Sequence, residues 1–323
     1  MSKVAVTEHN TKSNLYTRLT WLWSEYSVVI AFLIIVVLAS LLNNDFLSVS
    51  NVTNILRQVS IIGIISLGMT IVMISGGIDL SVGAALAFIG GTGVLTLNAT
   101  GSISIAIIVA VLTGALIGLI NGLLVTKGKI ASFIATLGMM ASARSLILYI
   151  SHGGSVSGTV KEYTSIANSE LFGISYPVYI FVILTILLFV LMHKTRFGRY
   201  VYAIGSNEKA ALLSAIRVDR VKTSVYVLCS VLVSFAAIIE SSRLNSVSSS
   251  SSGLSYELDA IAAVIIGGTR MTGGKGKIIG TFIGVLILGI LNNMMNLMNV
   301  SPYLQGLVKG LIIIVAVLLQ KKD

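Results

Sequence analysis

Apolar residues dominate the chain in runs too long and too uniform for the one-sided pattern of a soluble helix. Measured against the roughly 20 residues that a helix needs to cross a bilayer, such runs lie near 27–42, 52–75, 80–97, 103–125, 130–150, 176–192, 223–244, 254–268, 277–297 and 302–319. About ten transmembrane helices are expected, with nine and eleven as the neighbouring counts, because glycines blur the boundaries at 75–83 and 267–276. The first run ends in Asn43-Asn44-Asp45-Phe46 without a small-residue cleavage pattern, so it reads as a retained span. The longest polar interval, Lys194 to Lys222, follows the sixth run. Within it, Asn207 to Ile216 predicts a short helix. Ser206 or Asn207 can cap it, Glu208 suits its positive first turn, and its alanines favour helix.

Composition agrees with the pattern. The chain is 55% hydrophobic and 11% charged, against about 25% charged in soluble domains, which predicts an all-α polytopic membrane protein. The net charge of +10 does not call for nucleic acid, since no basic face coincides with a soluble fold. Its distribution follows the positive-inside rule instead. Of the 22 Lys and Arg residues, 17 fall at the N-terminus, at 127–129, in the 194–222 loop, at 270–277 and at 321–322, while 98–102 and 298–302 carry no charge. Both termini are therefore expected in the cytoplasm, with a tail at 1–26, one transmembrane domain at 27–319 and a short end at 320–323.

The chemistry of catalysis is missing from the sequence. Cys229 is alone, and His9, His152 and His193 are scattered, so neither a disulfide framework nor a metal site is expected. No Walker A sequence, Ser/His/Asp set or carboxylate pair at metal spacing occurs, and Lys275 in GGTRMTGGKGK lacks phosphate-loop spacing. An intramembrane protease or transferase would need paired polar catalysts at mid-span, but Asp79, Glu240 and Asp259 fall near span ends.

The chain also repeats itself. Gly76 to Gly83 leads to Gly90-Gly91-Thr92, and Gly253 to Asp259 leads over the same spacing to Gly267-Gly268-Thr269. A glycine-spaced span then ends at Asn121 in one half and at Asn292 in the other. Both matches displace the chain by five spans. An odd displacement inverts orientation, so two inverted-topology halves of five helices are expected, an arrangement that places a substrate pathway near the pseudo-twofold axis. Chance likeness among Gly-rich helices is the competing explanation. Pairs four residues apart, Gly114/Gly118, Gly118/Gly122, Gly280/Gly284 and Gly306/Gly310, predict close helix packing. The serines at 248–252 read as a flexible outer linker.

GGIDLSVG at Gly76 to Gly83, SFIATLGMM at Ser132 to Met140, TRFGRYVYAIGSNEKAA at Thr195 to Ala211 and YELDAIAAVIIGGTRMTGGKGKIIGT at Tyr256 to Thr281 together resemble the membrane permease subunit of bacterial ribose-type ABC importers. The likeness runs from about Phe46 to Leu319. It implies a multi-pass inner-membrane subunit without catalytic activity or cofactor of its own, moving ribose or a related sugar. It implies as partners a second permease copy or close homologue, a periplasmic sugar-binding protein, and a cytoplasmic ATPase that carries ATP and Mg. It also makes 194–222 the coupling loop to that ATPase, with Ala215 where the family pattern has glycine.

Three groups of candidate residues follow. Asn207, Glu208, Ala210, Ala211, Ser214 and Ala215 are expected to form a small-residue face that docks on the ATPase. An amphipathic helix lying on lipid is the alternative for that segment. Asn121, Asn292, Asn293 and Asn296 offer amides to sugar hydroxyls, with helix-to-helix hydrogen bonding as the competing role. Arg57, Arg144, Glu240, Arg243 and Lys309 are expected around a periplasmic mouth that meets the binding protein, with snorkelling as the competing explanation. An ion-coupled secondary carrier is the alternative function, since such carriers also use inverted repeats.

Overall fold

The computed structural model describes residues 27–320; the tail at 1–26 and residues 321–323 lie outside the described residues. The helices, in chain order, are α1 (Ser27–Leu42), α2 (Val49–Ile74), α3 (Val82–Thr100), α4 (Ile103–Thr126), α5 (Ser132–Ile150), α6 (Ser165–Asn168), α7 (Tyr176–Lys194), α8 (Arg196–Ser206), α9 (Glu208–Leu213), α10 (Val218–Leu244), α11 (Tyr256–Ile266), α12 (Ile278–Leu297) and α13 (Pro302–Gln320). Seven of them, α2 to α5, α7, α10 and α12, are long and apolar enough to cross a membrane. At 11 residues, α11 reaches only about 16 Å at 1.5 Å per residue, roughly half of a bilayer's ~30 Å apolar core. The span expected at 254–268 is thus a short helix followed by a glycine-rich segment.

Local chemistry sets the boundaries. The hydroxyls of Ser48 and Ser102 accept backbone N–H groups at the starts of α2 and α4, and Thr195 does the same for α8, each satisfying a donor that has no partner within its helix. Helix α3 stops at Gly101, whose φ of 67° is left-handed and costs glycine little.

Helices α2 and α10 form the centre and are buried along most of their length. Helix α10 packs on α4, α2 and α3, and α2 packs on α12, α11 and α7. Around them α3 packs on α4 and α5, and α11 on α12 and α13. The expected small-residue seams explain two of these crossings. Gly114, Gly118 and Gly122 lie against the α10 backbone, and a β-carbon on Gly118 would stand 2.5 Å from the Tyr226 carbonyl oxygen. Gly280 and Gly284 meet the Gly267 and Ala263 carbonyls in the same way. The third seam needs correction: a β-carbon on Gly306 or Gly310 would meet nothing within 4 Å.

The serine run also departs from expectation. Ser246–Ser248 forms strand β2, paired antiparallel with β1 (Ser155–Ser157) in the register Ser155 to Ser248. The Arg144 guanidinium donates to the carbonyl oxygens of Ser249 and Ser252 at 2.8 and 2.9 Å, and the Ser249 hydroxyl donates to Gly154 O at 2.7 Å. Those bonds fix a segment whose composition alone suggested a loose linker.

Candidate functional site

Chemistry-bearing residues gather at the two ends of α2. At its C-terminal end stand α8 and α9. Helix α8 buries Gly198, Val201 and Ile204, and the Tyr202 hydroxyl donates to Gly276 O at 2.8 Å. The Asn207 side chain caps α9 by accepting from Ala210 N at 3.0 Å, as expected of that residue type. Glu208, in the first turn, pairs with Lys222. Helix α9 covers only part of the stretch expected at 207–216.

The expected face is revised at one position. Ala210, Ser214 and Ala215 are exposed, but Ala211 is 4% exposed and packs with Ile204 and Val218. The large side chains turned outward are Leu212 and Leu213, the latter 89% exposed. The turn after α9 is a Schellman motif, with Ile216 N donating to Ala211 O and Ala215 N to Leu212 O, which puts Ala215 in the left-handed region at φ 59°. Glycine serves that position better. We expect Ala215→Gly to raise the stability of the purified protein by about 1 kcal/mol, and Ala215→Val to lower it, both read from thermal melts.

At the opposite end, α2, α10, α11 and α12 surround a cavity of about 200 Å³ whose polar lining is Gln58, Arg243, Tyr256, Asp259 and Asn292. Asp259 is paired with Lys309 at 3.0 Å. Glu240 is buried nearby, beside Tyr256 and Ser252 and within the fields of Arg243 and Arg144. Arg57 pairs with Glu170 at 2.7 Å. The structure thus brings Arg144, Glu240, Arg243 and Lys309 together through α11 and the serine segment, and sets Arg57 apart on Glu170.

The four amides divide. Asn292 lines the cavity. Asn293 exchanges two hydrogen bonds with Asn51, at 2.7 and 3.0 Å, so it ties α12 to α2. Asn296 is exposed and accepts from Gln305 at 2.9 Å. Asn121 is fully buried and donates to the Ser81 hydroxyl at 3.0 Å. That hydroxyl donates in turn to Asp79 at 2.6 Å, in the unwound segment between α2 and α3. Asn121 therefore belongs to a separate polar cluster. Gln58, Tyr256 and Asp259 escaped sequence reasoning as site residues. A glutamine beside Arg57 in an apolar run was the signal for the first, and the carboxylate in YELD for the last.

Among the described residues no three His, Cys, Asp or Glu side chains gather as a metal site would require. No solved structure matches the chain. Similar proteins of known role do exist. The chain is 48% identical over 291 residues to the ribose import permease protein RbsC of Bacillus subtilis, covering 90% of each. It is 41% identical to the protein of the same name in Escherichia coli K12, over 98% of this chain and 99% of that one. Likeness to the Escherichia coli K12 L-arabinose transport system permease protein AraH is 35% over 93% of this chain and 91% of that one. A family profile described as branched-chain amino acid transport system / permease component matches residues 51–317. With nearly every membrane helix inside that match, the chain belongs to this family of transport-system permease components.

Proposed function

We propose that the chain is the membrane subunit of an ATP-driven importer that takes a monosaccharide, ribose or a related pentose, from a periplasmic binding protein and passes it across the bacterial inner membrane. The end-to-end similarity to ribose import permeases carries this reading. It is tested by reconstituting the chain in vesicles with its ATPase and binding protein and following labelled ribose. ATP-dependent uptake supports it. Uptake driven by an ion gradient without the ATPase would favour the ion-coupled carrier.

The α8–α9 segment is the coupling element in this reading, and ATP and Mg belong to the partner ATPase. The inward turn of Ala211 makes Leu212 and Leu213 the outward anchors, framed by Ala210, Ser214 and Ala215. A leucine that is 89% exposed on a capped helix costs apolar hydration unless a partner covers it. We expect Leu213→Asp to lower the ATPase recovered with the purified permease at least about tenfold, with membrane insertion retained. Unchanged recovery would remove Leu213 from the docking face.

We also propose the inverted halves, each of five membrane segments, the short α11 crossing together with the glycine-rich stretch after it, with both termini cytoplasmic. The packing pattern supports this. Exchange α2 with α10, α3 with α11, α4 with α12 and α5 with α13. The pairs α4–α10, α3–α10, α3–α4 and α3–α5 then become α12–α2, α11–α2, α11–α12 and α11–α13, all of which occur. Helices α1 and α7 complete the two sets. The open face of Gly306 and Gly310 on α13 leaves room for a helix of a second permease copy. The charged group around Glu240 would then border the periplasmic mouth, with Arg57 at its rim.

A further inference from the structure

The cavity between α2, α10, α11 and α12 has a wall unlike that of a packing defect. Voids left by imperfect packing are apolar and dry. Here two amides, a carboxylate, a guanidinium and a tyrosine ring converge with apolar side chains of α2 and α12. The Asn292 side chain lines this space and makes no hydrogen bond among the described residues, so its amide's donor and acceptor capacity is unspent. Gln58 uses only its nitrogen, donating to Asn54 at a long 3.3 Å.

Charge and size narrow the ligand. Lys309 stands 3.0 Å from Asp259, and Arg243 shares its surroundings with Glu240, so each charge at the site has an opposite neighbour. A lone cation or anion gains little there. A neutral molecule whose hydroxyls both donate and accept can use the amides, the carboxylate and the guanidinium at once. An engineered cavity of ~150 Å³ accepts one benzene ring. The 200 Å³ here fits one sugar ring and is too small for two.

We propose that this cavity is a transient binding site for a single monosaccharide ring within the permease, built on Asn292, Gln58 and Asp259. The proposal rests on the sugar-importer reading above and adds a location to it. The test uses the complete importer, with ATPase and binding protein, in vesicles. Asn292→Leu keeps the side chain's size and removes its hydrogen bonds, and the sugar moved per ATP hydrolysed should fall about tenfold; Gln58→Leu should act in the same direction. In parallel, Asn292→Cys in a Cys229→Ser background is labelled from outside with a membrane-impermeant maleimide. Millimolar ribose should slow labelling, and sucrose should not. Wild-type sugar-to-ATP ratios in both leucine variants, or equal effects of ribose and sucrose on labelling, would overturn the site and leave the importer reading standing. If the unmodified importer moves no monosaccharide, the importer reading itself fails. Should Asn292→Leu not assemble, Gln58→Leu and the labelling experiment decide.

Discussion

Gly205→Ala should uncouple ATP hydrolysis from transport, lowering uptake at least about tenfold while the protein still inserts in the membrane. Gly205 sits near the end of α8, where three stretches of backbone meet. Gly274 N donates to Ile74 O at 2.9 Å, joining the end of α2 to the glycine-rich segment after α11. A β-carbon on Gly205 would lie 1.7 Å from that carbonyl oxygen and 2.6 Å from Gly274 N. Neither obstacle is a side chain that can rotate away, so α8 itself must shift by more than an ångström. Steric insertions of this kind typically cost 1–3 kcal/mol. The displacement falls on the link between the segment proposed to meet the ATPase and the helix that reaches the cavity. Gly138→Ala is the control, because its β-carbon would meet nothing within 4 Å. The measurement is sugar uptake against ATP hydrolysis in the reconstituted importer. A Gly205→Ala protein with the wild-type ratio would show that this junction transmits nothing.

Seven membrane helices were legible because a bilayer imposes a length that few other structures share. The run expected at 103–125, for instance, is α4 at Ile103–Thr126. Helix α8 carries its own signal, Phe197, Val201 and Ile204 at the i, i+4, i+7 spacing of one helix face, inside an interval whose polarity reads as a loop. The ordered serine segment was invisible for a different reason. Its order comes from Arg144, 105 and 108 positions away from the carbonyls it binds, and from strand β1.

At the candidate site the residue types were legible and their grouping was not. Asn292 and Asn293 are neighbours in sequence, yet adjacent helix positions point about 100° apart, one to the cavity and the other to Asn51. Asn121 and Asn292 matched as repeat positions but fall at opposite ends of α2, one beside Asp79 and the other beside Gln58. The meeting of Gln58, Tyr256, Asp259 and Asn292 is set by how α2, α11 and α12 cross. No local pattern encodes that crossing.

Gly118→Ile should prevent the transmembrane core from assembling, the largest stability effect expected of a single substitution in this chain. Water cannot drive two lipid-embedded helices together as it drives a soluble core, so their attraction comes from backbone approach and van der Waals packing. Helices α4 and α10 approach through three glycines one turn apart. A β-carbon on Gly118 would stand 2.5 Å from Tyr226 O and 2.7 Å from the Val227 α-carbon, and one on Gly122 would stand 2.8 Å from the Thr223 α-carbon. These are backbone atoms of a helix pinned on its other side by α2. The branched isoleucine must therefore push the helices apart along the whole seam. Alanine should cost about 1–3 kcal/mol at this position and isoleucine more. Gly310→Ile on α13 adds the same atoms where nothing lies within 4 Å, and should leave the detergent-purified subunit's melting temperature nearly unchanged. Thermal melts and protease resistance of the three variants, matched for membrane insertion, measure the contrast. Equal stability of Gly118→Ile and Gly310→Ile would mean that the α4–α10 seam does not hold the core together.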